Sequence, residues 1–380
     1  MTIAPAAPAL NPVMKPHVAG IHAYVPGKAS LGERPVVAKL SSNENPFGAS
    51  PHAIAAMQAA LATSHLYPDP ASTALREALA AKHGIDAARI ICGTGSDELI
   101  HLVAGAFAGP GDEVLYVRHG FAVYDIAARR TGATPVVAAD IDWTCDVDTL
   151  LAAVTDRTRV VFLANPNNPT GTIIPASEVR RLHAGLRPDI VFALDAAYAE
   201  FADGAYEDGL ALAEAHGNVV ALRTFSKIHG LAAQRIGWAY AAAPLIDAMH
   251  RIRAPFNVPA TGQAGAVAAL GDDEWVERTR SHTIRWREWL AAEIAALGNA
   301  GLRAVPSAAN FVMVEFAGTG AITAAGANAA LLEDGIIARY LAVQAMPNCL
   351  RISIGTEAET RAAAASLRRY VETATGSVAA

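Results

Sequence analysis

The sequence predicts an α/β protein. It reads as a mostly parallel sheet covered by helices on both faces, followed by a smaller α+β region. Three observations carry this. Between residues 72 and 219, short apolar runs alternate with helical periods. The runs at 160–164 and 190–194 have no polar alternation, as strands buried on both faces read. After about Arg251 the pattern changes to one long helix and then spaced strands and helices, which suits a separate α+β layer.

In chain order, residues 1–16 are rich in Ala and Pro and read as a loose arm. AYVPGK (23–28) is turn-rich, with one aromatic, Tyr24. A short strand at 36–40 leads into SSNENPFG (41–48), where Asn43, Glu44 and Asn45 read as turn formers. A helical period at 51–62 breaks at Tyr67-Pro68-Asp69-Pro70. The helix at 72–83 stops at Gly84, as a C-terminal glycine predicts. A short strand at 89–92 feeds GTGSDELIHLVAGAF, which opens a helix at 94–96. Strands follow at 113–117, 134–139, 160–164 and 190–194, with helices at 121–131, 150–154 and 178–186 between them. Apolar runs at 219–222 and 236–243 read as two more strands. Residues 275–297 form a long helix anchored by Trp275, Trp286 and Trp289. A strand at 311–316, a helix at 326–333, a strand at 350–354 and a helix at 358–373 close the chain.

Bulk properties exclude several classes. At 380 residues the chain is longer than one compact core usually takes, so two domains are expected. Hydrophobic residues make up 52% and charged residues 17%, enough apolar content for large buried layers. The formal net charge of −6, without a long basic run, argues against nucleic acid as a partner. No uninterrupted apolar segment is long enough to span a bilayer, and the N-terminus lacks the pattern of a secretion signal. Cys92, Cys145 and Cys349 are far apart and odd in number, so reduced thiols and a cytoplasmic location are expected. The histidines show no paired metal spacing, and no structural metal is expected.

Ligands of parallel sheets bind beyond the carboxyl ends of the strands. After the strand at 89–92 come Gly93, Gly95 and Ser96, a glycine turn feeding a helix start, which is an anion site. Thr94-x-x-Asp97 also fits a capping box, and the two can coexist. After 160–164 comes NPNNPTG (165–171), a turn by composition that gathers amides at the ligand edge. After 190–194 come Asp195 and Tyr198. A carboxylate ending an apolar strand is costly to bury without a cation, and a protonated pyridine nitrogen would serve. After 219–222 comes TFSKIHGLAAQR (224–235), which holds Thr224, Ser226, Lys227 and Arg235 between two strands. An amine beside a polyanion site is what covalent attachment of a phosphorylated aldehyde requires.

NPNNPTG, LDAAY, TFSKIHGLAAQR and NCLRISIGT resemble the motifs of fold-type-I pyridoxal-phosphate-dependent aminotransferases. AYVPGK, SSNENPFG, YPDP and GTGSDE make the chain most similar to the histidinol-phosphate aminotransferase branch of that family. The resemblance runs from about Tyr24 to the last helix. It implies a seven-stranded sheet in a large cofactor-binding domain (41–250), an N-terminal arm and small-domain segment (1–40) and a small C-terminal domain (251–380). It implies pyridoxal 5'-phosphate as cofactor and transamination between L-histidinol phosphate and 2-oxoglutarate, a step of L-histidine biosynthesis. Lys227 would bond the cofactor and then carry the proton. Asp195 would pair with the pyridine nitrogen, and Asn168 and Tyr198 with the ring oxygen. Ser96, Asp97, Ser226 and Arg235 would hold the phosphate, with Thr224 assisting. Tyr67 would reach that phosphate from a second subunit, which implies a homodimer with shared sites. Arg351 would grip the substrate carboxylate, and Arg339 and Tyr24 would face the substrate's far end.

Three positions depart from the family pattern. Phe121 stands where a tyrosine usually stacks on the ring, Ala196 replaces a glutamate, and Tyr340 replaces a proline beside Arg339. The last keeps a second substrate class open, the aromatic amino acids of a broad phenylalanine and tyrosine aminotransferase. A reading from another class, a regulator that binds the cofactor without turnover, calls for a basic helix-turn-helix segment that the sequence lacks.

Overall fold

The computed structural model describes residues 12–204, 206–318 and 320–376. Most of the arm expected over 1–16 lies outside the described residues, and Pro16–Ala19 forms a single helical turn. The strands are β1 (Ala38–Lys39), β2 (Ile90–Gly93), β3 (Glu113–Val117), β4 (Thr134–Ala138), β5 (Asp140–Ile141), β6 (Thr144–Cys145), β7 (Thr158–Ala164), β8 (Val191–Asp195), β9 (Val219–Thr224) and β10 (Gly237–Ala241). They continue with β11 (Leu302–Val305), β12 (Phe311–Phe316), β13 (Ile336–Ile337), β14 (Arg339–Tyr340) and β15 (Cys349–Ser353).

The central sheet has seven strands in the order β2-β10-β9-β8-β7-β3-β4. The pairs among β9, β8, β7, β3 and β4 are parallel, while β10 runs antiparallel to both neighbours. The unbroken apolar runs follow from burial on both faces, because alternate side chains enter opposite cores. On β8, Phe192 and Leu194 join one core, and Val191 and Ala193 the other. Leu75 and Leu79 of helix Thr73–His83 and Val179 and Leu182 of helix Ala176–Gly185 cover the first face. Leu99 and Val103 of helix Ser96–Phe107 and Tyr124 and Ala127 of helix Val123–Thr131 cover the second.

A second sheet, β11-β12-β15-β14, is antiparallel. It packs on helices Asp273–Ala295, Ala324–Glu333 and Glu357–Thr375 through Trp286, Leu290, Leu331 and Leu367. β1 pairs in parallel with β13, which ties the early chain to this layer. Helix Ala260–Leu270, which the sequence pattern leaves unread, packs with the central sheet: Ala266 and Ala269 lie in its first core. Close approach explains its Ala/Gly composition, since a Cβ on Gly265 would stand 2.7 Å from Met57 Cγ. No helix among the described residues is long and apolar enough to cross a membrane.

Candidate active site

A cavity of about 250 Å3 opens at the carboxyl ends of β7, β8 and β9 and is closed from the other side by β14 and β15. Of the site residues expected from sequence, Tyr24, Ser96, Asp97, Phe121, Asn168, Asp195, Tyr198, Thr224, Ser226, Lys227, Arg235, Arg339 and Arg351 all line it. Tyr67 does not. It is 81% exposed and stacks on Phe256, with ring centroids 4.6 Å apart.

One end of the cavity is built for an anion. Helix Ser96–Phe107 begins after Gly95, which has φ +82°, and Ser96 and Asp97 of its first turn, where backbone N–H groups lack helical partners, line the cavity. Arg235 lies against that turn in the left-handed region, with Nη2 3.4 Å from Thr94 O and 3.5 Å from Asp97 Oδ2. A Cβ on Gly95 would stand 2.5 Å from Arg235 Nη2, and a Cβ on Gly237 2.5 Å from Ser96 N. Glycine thus keeps open the space where helix and guanidinium converge. Across from them, Ser226 N–H donates to Thr224 Oγ1 at 3.1 Å, which orders the hydroxyl-bearing turn. The expected capping box does not form. Thr94 gives both its N–H and its hydroxyl to Glu98 Oε2, at 2.6 and 2.9 Å, and Gly95 occupies the cap. The longer Glu98 side chain reaches back to Thr94, which leaves Asp97 facing the cavity.

The middle of the cavity holds a carboxylate and an amine. Asp195 Oδ2 accepts from Tyr124 Oη at 2.8 Å, and Oδ1 accepts from the Ala197 N–H at 3.2 Å. Burial pushes the Asp195 carboxyl up to about 6, against the pull of these two donors. A cation beside it would restore the charged form. Burial, reinforced by the Arg351 guanidinium, brings the Lys227 amine down to about 8. Its Nζ lies 3.4 Å from Ser42 O and 5.7 Å from the centre of the Tyr198 ring. Tyr198 Oη accepts from Asn43 Nδ2 at 2.9 Å, and burial pushes its phenol up to about 12, so it stays a donor.

The other end holds two buried guanidiniums. Arg339 and Arg351 are register partners on β14 and β15. Arg351 Nη1 donates to Asn168 Oδ1 at 2.5 Å and Nη2 to Ser41 O at 2.9 Å, while its Nε is buried with no partner. Arg339 Nη2 donates to Val25 O at 2.6 Å. Neither meets a carboxylate among the described residues, an arrangement that calls for an anion. Tyr340 points the other way, into the core of the second sheet, so its departure from the family pattern does not touch the cavity. Ala196 is fully buried, where a glutamate would need a partner.

Two participants escaped the sequence reading. Tyr124 lies three residues after Phe121, within the stretch that the sequence predicts as a helix over 121–131, and that spacing is the one signal that could have found it; the helix itself begins at Val123, and Tyr124 N–H donates to Phe121 O at 3.0 Å. Asn43 is more than a turn former. At φ +57° it binds Tyr198 and Ser353, the latter through both its N–H and its Oδ1. Together the anion end, Asp195 and Lys227 fit pyridoxal 5'-phosphate, with the unpartnered Arg351 Nε left for a second ligand.

Comparison with known proteins agrees with this geometry. Residues 35–367 match the aminotransferase class I and II family. The chain is 57% identical over 367 residues to a histidinol-phosphate aminotransferase of Sphingopyxis alaskensis, an alignment covering 96% of this chain and 98% of that one. It is 53% identical to that of Erythrobacter litoralis, covering 96% and 99%. The crystal structure of histidinol-phosphate aminotransferase from Sinorhizobium meliloti in complex with pyridoxal-5'-phosphate superposes with a TM-score of 0.87 at 30% identity, covering 96% of this chain and 99% of that one. Fold, cavity and kinship converge, and the chain belongs to the aminotransferase class I and II family.

Proposed function

We propose that this chain transfers the amino group of L-histidinol phosphate to 2-oxoglutarate, giving imidazole acetol phosphate and L-glutamate in L-histidine biosynthesis. Pyridoxal 5'-phosphate is its cofactor. The observation that carries the substrate is the Arg339–Arg351 pair, buried, adjacent in register and free of carboxylates among the described residues. Relatives named histidinol-phosphate aminotransferases, 46% to 57% identical over nearly the whole chain, support the same assignment.

Each residue then has a task. Backbone N–H groups of Ser96 and Asp97, with Ser226, Thr224 and Arg235, hold the cofactor phosphate. Phe121 covers one face of the ring. Asn168 and Tyr198 meet the ring oxygen, and Asp195 keeps a proton on the ring nitrogen. When bound, the cofactor draws electron density from the substrate α-carbon. Lys227 would anchor the cofactor through its amine and would carry the proton that leaves the substrate α-carbon. Histidinol phosphate lacks an α-carboxylate, so Arg351 takes its phosphate, with Arg339 and Tyr24 as further donors. For glutamate, Arg351 takes the α-carboxylate and Arg339 the side-chain one.

The same reading makes the protein a homodimer with shared sites. Tyr67 is remote from its own cavity and exposed beside Phe256, as a residue reaching a second subunit's phosphate site would be. It also places the protein in the cytoplasm, where such biosynthesis runs. For the domains, we keep the arm at 1–40 and move the boundary expected at 250–251 to after Leu270, because helix Ala260–Leu270 shares the central sheet's core. The test is donor preference. The holoprotein should change colour with histidinol phosphate and release glutamate once 2-oxoglutarate is added. A higher kcat/KM for phenylalanine would overturn the assignment in favour of an aromatic aminotransferase.

A further inference from the structure

A second chamber of about 270 Å3 adjoins the cofactor cavity. Tyr24, Phe121 and Arg339 line both, so one wall is common to the two. Its remaining walls are largely apolar, with Ile126, Val137 and Met346 among them. One carboxylate, Asp125, lines the chamber and another, Asp140, lies beside it, and both already have partners. Asp125 accepts from Tyr116 Oη at 3.0 Å and from Arg129 Nε at 2.9 Å, and Asp140 lies 2.7 Å from His119 Nδ1. Arg118 is different. It is the first residue after β3, its backbone N–H is fixed to Ala138 O at 2.8 Å, and its side chain is exposed. Among the described residues its guanidinium has no hydrogen-bond or ion-pair partner. The chamber thus carries one uncommitted guanidinium, Arg118, and a second, Arg339, at the wall it shares with the cofactor cavity.

We infer that this chamber is an entry site for phosphate monoesters, in which Arg118 captures the dianionic end of the amino donor before Arg339 and Arg351 receive it. The inference rests on the donor assigned above and adds a residue and a route to it. A cation at the mouth of a low-dielectric cleft raises the encounter rate of an anion, and the effect fades with salt. The apolar walls suit the flat ring at the donor's other end.

The test compares holoenzymes carrying Arg118→Gln and Arg118→Lys with the parent, using stopped-flow half-reactions at low and high ionic strength. Arg118→Gln should lower kcat/KM for histidinol phosphate about tenfold at low salt, with the loss in kcat/KM rather than kcat, and should flatten the salt dependence. Arg118→Lys should retain most of the parent's rate, because it keeps the charge. Inorganic phosphate should compete more weakly in Arg118→Gln, and phenylalanine, which has no dianion, should be nearly unaffected. A parent-like salt profile in Arg118→Gln, or an equal loss with every donor, overturns the entry site. If the parent itself does not turn over histidinol phosphate, the assigned function fails instead, and the entry site with it.

Discussion

Tyr124→Phe tests the electrostatics of the cavity with little disturbance of its shape. The Tyr124 ring is fully buried and stacks on Phe162, with centroids 4.8 Å apart and planes 2° from parallel, so phenylalanine fills the same space. What is lost is one hydrogen bond to the Asp195 carboxylate, worth about 1.5–3 kcal/mol for a charged acceptor. At about 1.4 kcal/mol per pKa unit, that is roughly one to two units. Asp195 is already pushed up to about 6 by burial, and the Tyr124 bond opposes that push. Without it, the carboxyl should titrate near roughly 7–8. An acid with a raised pKa is neutral below that pKa, and only the ionised form attracts a cationic ring nitrogen. Cofactor affinity is therefore held above the pKa and lost as pH falls through it, below about 6 in the parent and below roughly 7–8 in the variant. Pyridoxamine phosphate is the probe, because it has no aldehyde to bond Lys227. Its Kd, followed by fluorescence from about pH 5 to about pH 9, should be about two- to tenfold weaker in the variant near neutrality and converge with the parent at high pH. Superimposable pH profiles would refute the reasoning.

Asp195→Asn removes the charge itself. Losing one partner of a buried charge pair costs about 3–5 kcal/mol, a hundredfold or more in the single-turnover rate, and a variant within about threefold of the parent would remove Asp195 from its role. Gly95→Ala forces a side chain into a backbone conformation reserved for glycine and against Arg235 Nη2. It should destabilise the chain by about 1–3 kcal/mol in urea titrations and weaken cofactor binding about tenfold. Unchanged cofactor affinity would show that no anion binds between that turn and Arg235. Tyr67→Phe should weaken cofactor retention by about 1 kcal/mol or somewhat more without changing the melting temperature. A parent protein that sediments as a fully active monomer would exclude Tyr67 from the site.

Residues just beyond the strands were legible because a parallel sheet puts its ligands there. That rule, applied to unbroken apolar runs, points to Ser96, the amide-rich turn at 165–171, Asp195 and Lys227, and Ser96, Asn168, Asp195 and Lys227 all line the cavity, while the strands β3 and β12 fall where the runs lie. What stayed hidden is non-local or too small to have a period. β13 and β14 are two residues each, so Arg339 was found only through its resemblance to a family motif. Helix Ala260–Leu270 is made of Ala and Gly around most of its surface and lacks the amphipathic stripe that reveals a helix, although it packs tightly against Met57. Asn43 looked like any asparagine in a turn. Its function lies in hydrogen bonds to Tyr198 and Ser353, 155 and 310 residues away, which no local pattern encodes. The Thr94-x-x-Asp97 spacing misled for a related reason: the neighbouring Glu98 competes for the same donors and wins by reach.

The central claim is that the paired arginines of β14 and β15 recognise a phosphorylated donor. The most direct measurement is the ratio of kcat/KM for histidinol phosphate to that for phenylalanine, in the parent and in Arg339→Ala. Arg339 is buried and donates to Val25 O, with its remaining N–H groups available to an anion. Its loss should cost the phosphorylated donor roughly 2–4 kcal/mol, about 30- to 1,000-fold in kcat/KM. Phenylalanine, which needs only Arg351, should lose far less, so the ratio should collapse. A parent that prefers phenylalanine, or a variant that loses both donors equally, would contradict the claim.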